Sequence, residues 1–261
     1  NNQNQPEADE QYNHYLKEIE PELDHNEEQI REWLELNQDA PLISIIIPTY
    51  NTNSNHLREC IESVCRQSYP NWELCICDDS SSAVSVKTIL RSYQSSDPRV
   101  KLIFREKNGH ICEASNDALR MATGEYVALL DHDDILADNA LYWVARELQK
   151  KPQANLIYSD EDKVNDYGMR ACPHFKPAFN IDLLLSYNFI SHLGVYRREI
   201  LKQIGGFRVG FEGSQDHDLA LRTVLESSPD QIIHIPRVLY HWRAHSESTA
   251  SNPDSKDYTT E

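Results

Sequence analysis

The chain of 261 residues is short of positive charge, of long apolar runs and of ordered cysteine patterns, and each shortage excludes a class of protein. Lys and Arg number 25 against 42 Asp and Glu, a net charge of −17. Nonspecific nucleic-acid binding needs a basic footprint, so a nucleic-acid partner is not expected. A nucleotide ligand remains compatible, because a cation can bridge like charges. No apolar run approaches the length of a membrane span. No basic start followed by an apolar centre marks a secretory signal. The six cysteines show neither zinc-finger spacing nor the pattern of a disulfide framework. Cys60 and Cys65 fall on a predicted helix and Cys75 and Cys77 on one face of a predicted strand. Reduced thiols in a cytoplasmic protein are therefore expected, with the inner face of a membrane as the alternative place. There is no G-x-G-x-x-G, which argues against a dinucleotide oxidoreductase. "PTYNTNSNH" after the first predicted strand lacks the glycine- and lysine-rich loop of a nucleotidyltransferase.

What is present is divided unevenly. Residues 1–40 hold twelve Asp/Glu and two Lys/Arg, hence −10 of the net charge, and the other 221 residues carry −7. Residues 1–10 are polar and expected to be disordered. The sparse apolar residues between Tyr12 and Leu36 suggest one or two acidic helices interrupted at Pro21, an extension or linker from a longer polypeptide. From Pro41 the pattern becomes that of a packed domain. Strands are expected at Ile43–Ile47, Trp72–Cys77, Val100–Phe104 and Tyr126–Leu130, alternating with helices at Leu57–Arg66, Val84–Tyr93, Ile111–Met121 and Asn139–Lys150. Such alternation signals βαβ units, an α/β fold with a parallel sheet and right-handed crossovers that bring the strand ends to one edge. Later come a strand at Asn155–Tyr158, a loop containing Gly168, Pro173 and Pro177, a strand at His192–Tyr196, a helix at Arg198–Ile204 stopped by Gly205-Gly206, and a helix at Asp216–Glu226. A final extended pair is expected around Pro236, followed by a polar tail, 251–261.

The chemistry is concentrated at the strand ends, where open α/β sheets bind ligands. Pro48 stops the first ladder, and Tyr50 just beyond it could stack on a base or simply sit on the surface. The second strand ends in Asp78-Asp79-Ser80. A carboxylate there can accept an N–H from uracil, thymine or guanine, or it can cap a helix. The fourth strand ends in Asp131-His132-Asp133-Asp134. Three carboxylates within four residues repel one another unless a cation lies among them, and they exceed what a helix cap needs. A divalent metal holding a phosphate is the chemistry they suggest. Asp160-Glu161-Asp162 reads as a solvated strand end rather than a second metal site. His174 and His192 are weaker candidates for ligand contact. Arg197 and Arg198 could hold a diphosphate or merely open a helix, and Arg243 is the better phosphate candidate. Trp242 could line a sugar site or belong to the core.

"ISIIIPTYN", "WELCICDDSS", "NDALRMATGEYVALLDHDD" and "GSQDHDLALR" occur in an order that resembles the family 2 glycosyltransferases of the GT-A fold. The resemblance spans about residues 41–250. "HFKPAFNIDLLLSYNFISHLGVYRRE" and "YHWRAHSEST" look like the members that build bacterial surface polysaccharides. It implies a Rossmann-like, mostly parallel central sheet flanked by helices, here with an acidic helical N-terminal extension. It implies a nucleotide pocket containing Pro48, Tyr50 and Asp79, and a D-x-D motif formed by Asp131 and Asp133. Asp133 would coordinate the metal, Mn²⁺ or Mg²⁺, and Asp131 would reach the ribose or a metal-bound water. His245, with His241 as second choice, resembles the late histidine that completes the metal site. Asp216 matches the catalytic base, although Gln215 stands where the family commonly has a glutamate. The implied reaction is inverting transfer from a nucleotide-sugar, a UDP-sugar first and a dTDP-sugar next, to a glycan or lipid-linked acceptor hydroxyl. A non-catalytic sugar-nucleotide-binding module of a larger synthase is the rival reading, and such a domain would be expected to lack Asp216. The transferred sugar, the acceptor and the linkage are expected to depend chiefly on residues 163–192 and 207–215.

Overall fold

The computed structural model describes residues 10–244. The expected disorder of the first residues, the polar tail and the proposed ligand His245 lie outside the described residues.

The acidic extension forms helices α1 (Glu10–His14) and α2 (Glu20–Leu23), joined by a π-helical turn at Tyr15–Ile19, and then α3 (Glu27–Leu36). The interruption expected at Pro21 is not there. Pro21 falls in the first turn of α2, where a missing N–H leaves nothing unpaired. The break comes instead at Asp24-His25-Asn26. Asn26 then opens α3 with a capping box, its Oδ1 accepting the Gln29 N–H at 2.9 Å.

The remaining chain alternates as read: β1 (Ile43–Thr49), α4 (Ser54–Cys65), β2 (Trp72–Asp78), α5 (Val84–Ser96), β3 (Val100–Phe104), α6 (His110–Met121), β4 (Tyr126–Leu129), β5 (Ile135–Leu136) and α7 (Ala140–Lys150). β6 (Leu156–Val164) and β7 (Arg170–His174) form a hairpin. They are followed by α8 (Ile181–Ser186), β8 (Gly194–Arg197), α9 (Arg198–Gln203), α10 (Gln215–Leu225) and β9 (Ile232–Arg243). The sheet order is β3-β2-β1-β4-β8-β6-β9-β5, with β7 on β6. β1 to β4, β6 and β9 run one way, and β5, β7 and β8 the other.

The apolar runs explain the core. Side chains alternate across a strand. Ile43, Ile45 and Ile47 of β1 with Leu74 and Ile76 of β2 therefore pack on one face, under Leu57, Ile61 and Leu141 of the helices. Ile46, Cys75 and Cys77 face the other side, with Ala118 and Leu219. Gly124, just before β4, lies so close to β1 that a Cβ would meet the Leu42 carbonyl oxygen at 2.5 Å. Glycine is what allows β4 to seat beside β1.

Two expectations for the second half change. The residues around Gly168 and Pro173 are the β6–β7 hairpin rather than loop. The final segment is one 12-residue strand, because a register shift opposite Ser159 and Asp160 takes up Pro236 and Arg237 without breaking β9.

Candidate active site

The carboxyl ends of β1, β2 and β4, adjacent and parallel, open into one cavity of about 1070 Å³. Pro48, Tyr50, Asp79, Asp131 and Asp216, five of the residues read from the sequence, line it together. The backbone is strained here. Five non-glycine residues among the described ones have left-handed φ. Of these, His110 and Ser191 line the cavity, and Asn51 and Ser80 directly follow Tyr50 and Asp79. Such strain persists only where the surroundings impose it, and it clusters at ligand sites.

Asp79 is buried and fixed. Its carboxylate accepts the Gly109 N–H at 2.9 Å and pairs with Arg105 Nε at 2.9 Å. Arg105 is held in turn by Glu113 and Asp117. Tyr50 is half-exposed at the mouth, where a planar ring could lie on it. Asp216 stands in the first turn of α10, where the helix dipole favours a carboxylate, and its Oδ2 accepts a hydrogen bond from Asn188 Nδ2 at 2.8 Å. Asn188 also lines the cavity. It lies within the "HFKPAFNIDLLLSYNFISHLGVYRRE" segment, but the sequence assigns it no role, because only the fold brings it to Asp216.

The aspartates after β4 separate. Asp131, Asp134 and His192 each offer a ligand atom, all within 4.8 Å of one another. Asp133 is not a member of that group. It lies 3.6 Å from His132 Nδ1, and its backbone carbonyl accepts from Arg243 Nε at 2.8 Å. The accessible face of Asp131 opens into the cavity. Burial raises its carboxyl pKa; His192 opposes the rise, and Asp133 adds to it. Asp134 is buried, and its carboxyl is raised further, by burial first and then by Asp133 and Asp131. It accepts bonds from the Tyr240 hydroxyl and the Arg243 N–H, and so ties β9 to this turn. His192 approaches Asp131 Oδ2 at 3.9 Å and stacks on Tyr240 with ring centroids 4.5 Å apart. Crowded, raised carboxylates beside an imidazole form a donor set suited to a hard or borderline divalent cation. The residues present therefore fit the divalent metal that the resemblance implies.

Two candidates do not reach the cavity. Arg243 is buried, and its guanidinium is spent on the Asp133 carbonyl and on Glu59. His241 is bonded through Nδ1 to Asp162 at 2.6 Å.

Asp160, Glu161 and Asp162 are not a solvated strand end. They continue β6 and are buried at 3%, 6% and 1% exposure. Each has a histidine. Asp160 binds His234 at 2.7 Å, Glu161 binds His174 at 3.3 Å, and Asp162 binds His241. Asp162 also accepts from Arg170 Nε at 2.6 Å and from the Tyr12 hydroxyl of the N-terminal extension. Burial alone would raise the Glu161 carboxyl, but Lys176 and the neighbouring histidines more than offset it and hold it down at about 2. Glu161, His174, His192 and Trp242 form the far wall of the cavity.

Residues 44–205 match the sequence pattern of "Glycosyl transferase family 2". Among curated proteins, the chain is 49% identical to "Uncharacterized protein y4gI" of Sinorhizobium fredii, over 86% of this chain and 25% of that protein. It is 38% identical to "O-antigen biosynthesis protein RfbC" of Myxococcus xanthus, over 84% of this chain and 17% of that protein. The chain thus spans a quarter or less of the length of these relatives. Among solved structures, S. aureus TarS 1-349 in complex with UDP-GlcNAc superposes with a TM-score of 0.67 at 22% identity, covering 80% of this chain and 60% of that one. Mannosyltransferase PcManGT from Pyrobaculum calidifontis, in complex with GDP-Man and Mn²⁺, gives 0.62 at 20% identity, covering 85% and 64%. With the family pattern over residues 44–205 and the same sheet architecture in these neighbours, the chain belongs to glycosyl transferase family 2 and has the GT-A fold.

Proposed function

We propose that this chain is the catalytic domain of an inverting glycosyltransferase. It moves a sugar from a nucleotide-sugar, a UDP-sugar before a dTDP-sugar, to a hydroxyl of a glycan or lipid-linked acceptor in cell-envelope polysaccharide synthesis. The observation that carries this is that Asp79, Asp131 and Asp216, from three separate parts of the sequence, line a single cavity. The O-antigen relative and the UDP-GlcNAc complex of TarS support the polysaccharide and UDP parts of the reading.

In this reading Asp79 accepts the ring N–H of the base, and Pro48 and Tyr50 wall the nucleotide. Asp131 and His192, with Asp134 behind them, would hold the metal. A bound divalent cation supplies stabilisation for charge developing on the diphosphate leaving group. The PcManGT complex, which contains Mn²⁺, supports a divalent cation in this reading. Asp133, the aspartate the resemblance assigns to the metal, is the competing ligand, and comparing Asp133→Ala with Asp134→Ala separates the two. Asp216 takes the proton of the acceptor hydroxyl as that oxygen bonds the anomeric carbon and the bond to the diphosphate oxygen breaks. One displacement inverts the anomeric centre. The six free cysteines, four of them buried, are in keeping with a cytoplasmic location. No helix of the described residues is long and apolar enough to cross a membrane.

Calorimetry with UDP-, dTDP- and GDP-sugars, with and without Mn²⁺, tests the reading. Mn²⁺-dependent binding of a UDP-sugar is expected. Binding of no sugar nucleotide by the folded protein would overturn it.

A further inference from the structure

We propose that Lys176 is a positioning residue that sets His192 for metal binding at the diphosphate end of the cavity. This inference rests on the functional reading above. Lys176 follows β7 and its side chain has no exposed area at all. An ammonium carries three donors and no acceptor. Here three acceptors meet it: Glu161 Oε2 at 3.3 Å, the Ile190 carbonyl at 2.8 Å, and the His192 carbonyl. Glu161 Oε2 closes the ring by accepting the His192 backbone N–H at 3.2 Å. The lysine thus grips both sides of Ser191, a left-handed residue with φ of 36°, and its counter-ion grips the next amide.

The backbone of His192 is consequently fixed from two directions. Its ring is clamped separately, face-on to Tyr240 and with Trp242 at an angle of 69°. What remains is an imidazole aimed at Asp131. Lys176 does not line the cavity and offers no ligand atom to the group formed by Asp131, Asp134 and His192; it reaches that group only through the His192 backbone carbonyl. A buried cation is costly unless paired, so this pair of charges is more than a core needs for packing. A hydrophobic residue could fill the volume, but it could not hold two carbonyls and a carboxylate at once. The partners of a metal ligand typically govern 10–100-fold in metal affinity, and that is the size of effect to look for.

The test uses two variants, Lys176→Met and the double variant Lys176→Met/Glu161→Gln, in which no buried charge of the pair is left alone. Mn²⁺ affinity is read by calorimetry in the presence of UDP, with folding monitored by circular dichroism. Turnover is then titrated against Mn²⁺. The expected result is Mn²⁺ binding weakened about 10–100-fold in the folded variants, with the turnover defect overcome by raising Mn²⁺. A purely structural role would not give a defect that metal concentration repairs. If Lys176→Met fails to fold, the double variant carries the same expectation. Wild-type Mn²⁺ affinity in a folded variant would overturn the inference. So would a turnover loss that no Mn²⁺ concentration relieves. Failure of the wild type itself to bind Mn²⁺ with UDP would instead overturn the functional reading, and this inference with it.

Discussion

The two halves of the sheet are built on opposite chemistry. In β3-β2-β1-β4 the strands are apolar, and their carboxylates are confined to the ends, where Asp79 and Asp131 meet the cavity. In β6-β9 carboxylates occupy the middle of a strand, and each is matched by a residue from far away in sequence. The first half is stabilised by area removed from water, which is non-directional and tolerant. The second adds to its own apolar packing a set of buried pairs, in which losing one partner strands the other in a poor solvent. The cavity joins the two: Asp79 and Asp131 enter it from the first half, and Glu161, His192 and Trp242 from the second, with Asp216 of α10.

That division can be broken or sharpened by experiment. The largest effect is expected at the reacting end. Asp216→Asn should lower turnover by about 10²–10⁴-fold while leaving donor affinity measured by calorimetry nearly unchanged. Turnover unchanged by the substitution would remove Asp216 as the base. Next comes the apolar half. Ile45, fully buried between β2 and β4, should cost about 2–5 kcal/mol when truncated to Ala, read from urea denaturation. A cost below 1 kcal/mol would mean that the first half is not held by packing as described.

The third prediction concerns a charge buried in the apolar half, at the end of β2 away from the cavity. Glu73 accepts from Ser44 Oγ at 2.6 Å and from the Thr123 N–H at 2.6 Å, and it pairs with Lys101. Burial would raise its carboxyl, but Lys101, Ser44 and Thr123 hold it down at about 2. Because its folded value lies below its unfolded one, its contribution is complete above about pH 4.5 and is lost as pH falls toward 2. Glu73→Gln should therefore remove stability at pH 7, on the order of 2–3 kcal/mol, and flatten the acid limb of a Tm-versus-pH profile. An unaltered acid limb would contradict this. The smallest effect belongs to nucleotide recognition. Asp79→Ala should weaken UDP-sugar binding about tenfold, the usual scale of one charge-assisted hydrogen bond, with turnover at saturating donor less affected. Equal binding by the variant would release Asp79 from the base.

The contrast also explains what could be read from the sequence. β-branched runs announce buried parallel strands, so β1 to β4 and the carboxylates at their ends were legible, as was Asp216 opening a helix. Asp160-Glu161-Asp162 was not. Three charges in a row look solvated unless one knows that Tyr12, Arg170, Lys176, His174, His234 and His241 will converge on them, and no local pattern carries that. The sequence around Pro236 reads as two extended pieces, because a proline ends a ladder unless a bulge absorbs it. Arg243 looked like a phosphate ligand from its neighbours in sequence, yet its neighbours in space are the Asp133 carbonyl and Glu59. His192 reads as a weak candidate in the sequence, since its place in the site comes from Asp131, Tyr240 and Lys176 together.

The strand order has a consequence for synthesis on the ribosome. β1, the partner of one edge of β4, precedes it in the chain, but the partner of its other edge is β8: Val127 pairs with Tyr196, 69 residues further on. β6 in turn lacks its long partner until β9 has been made. For that interval the nascent chain offers an open, apolar strand edge, the feature most prone to pairing with another chain. The stretch Asp160 to Asp162 of β6 is a poor substitute partner, because carboxylates buried there need their histidines and arginine in place.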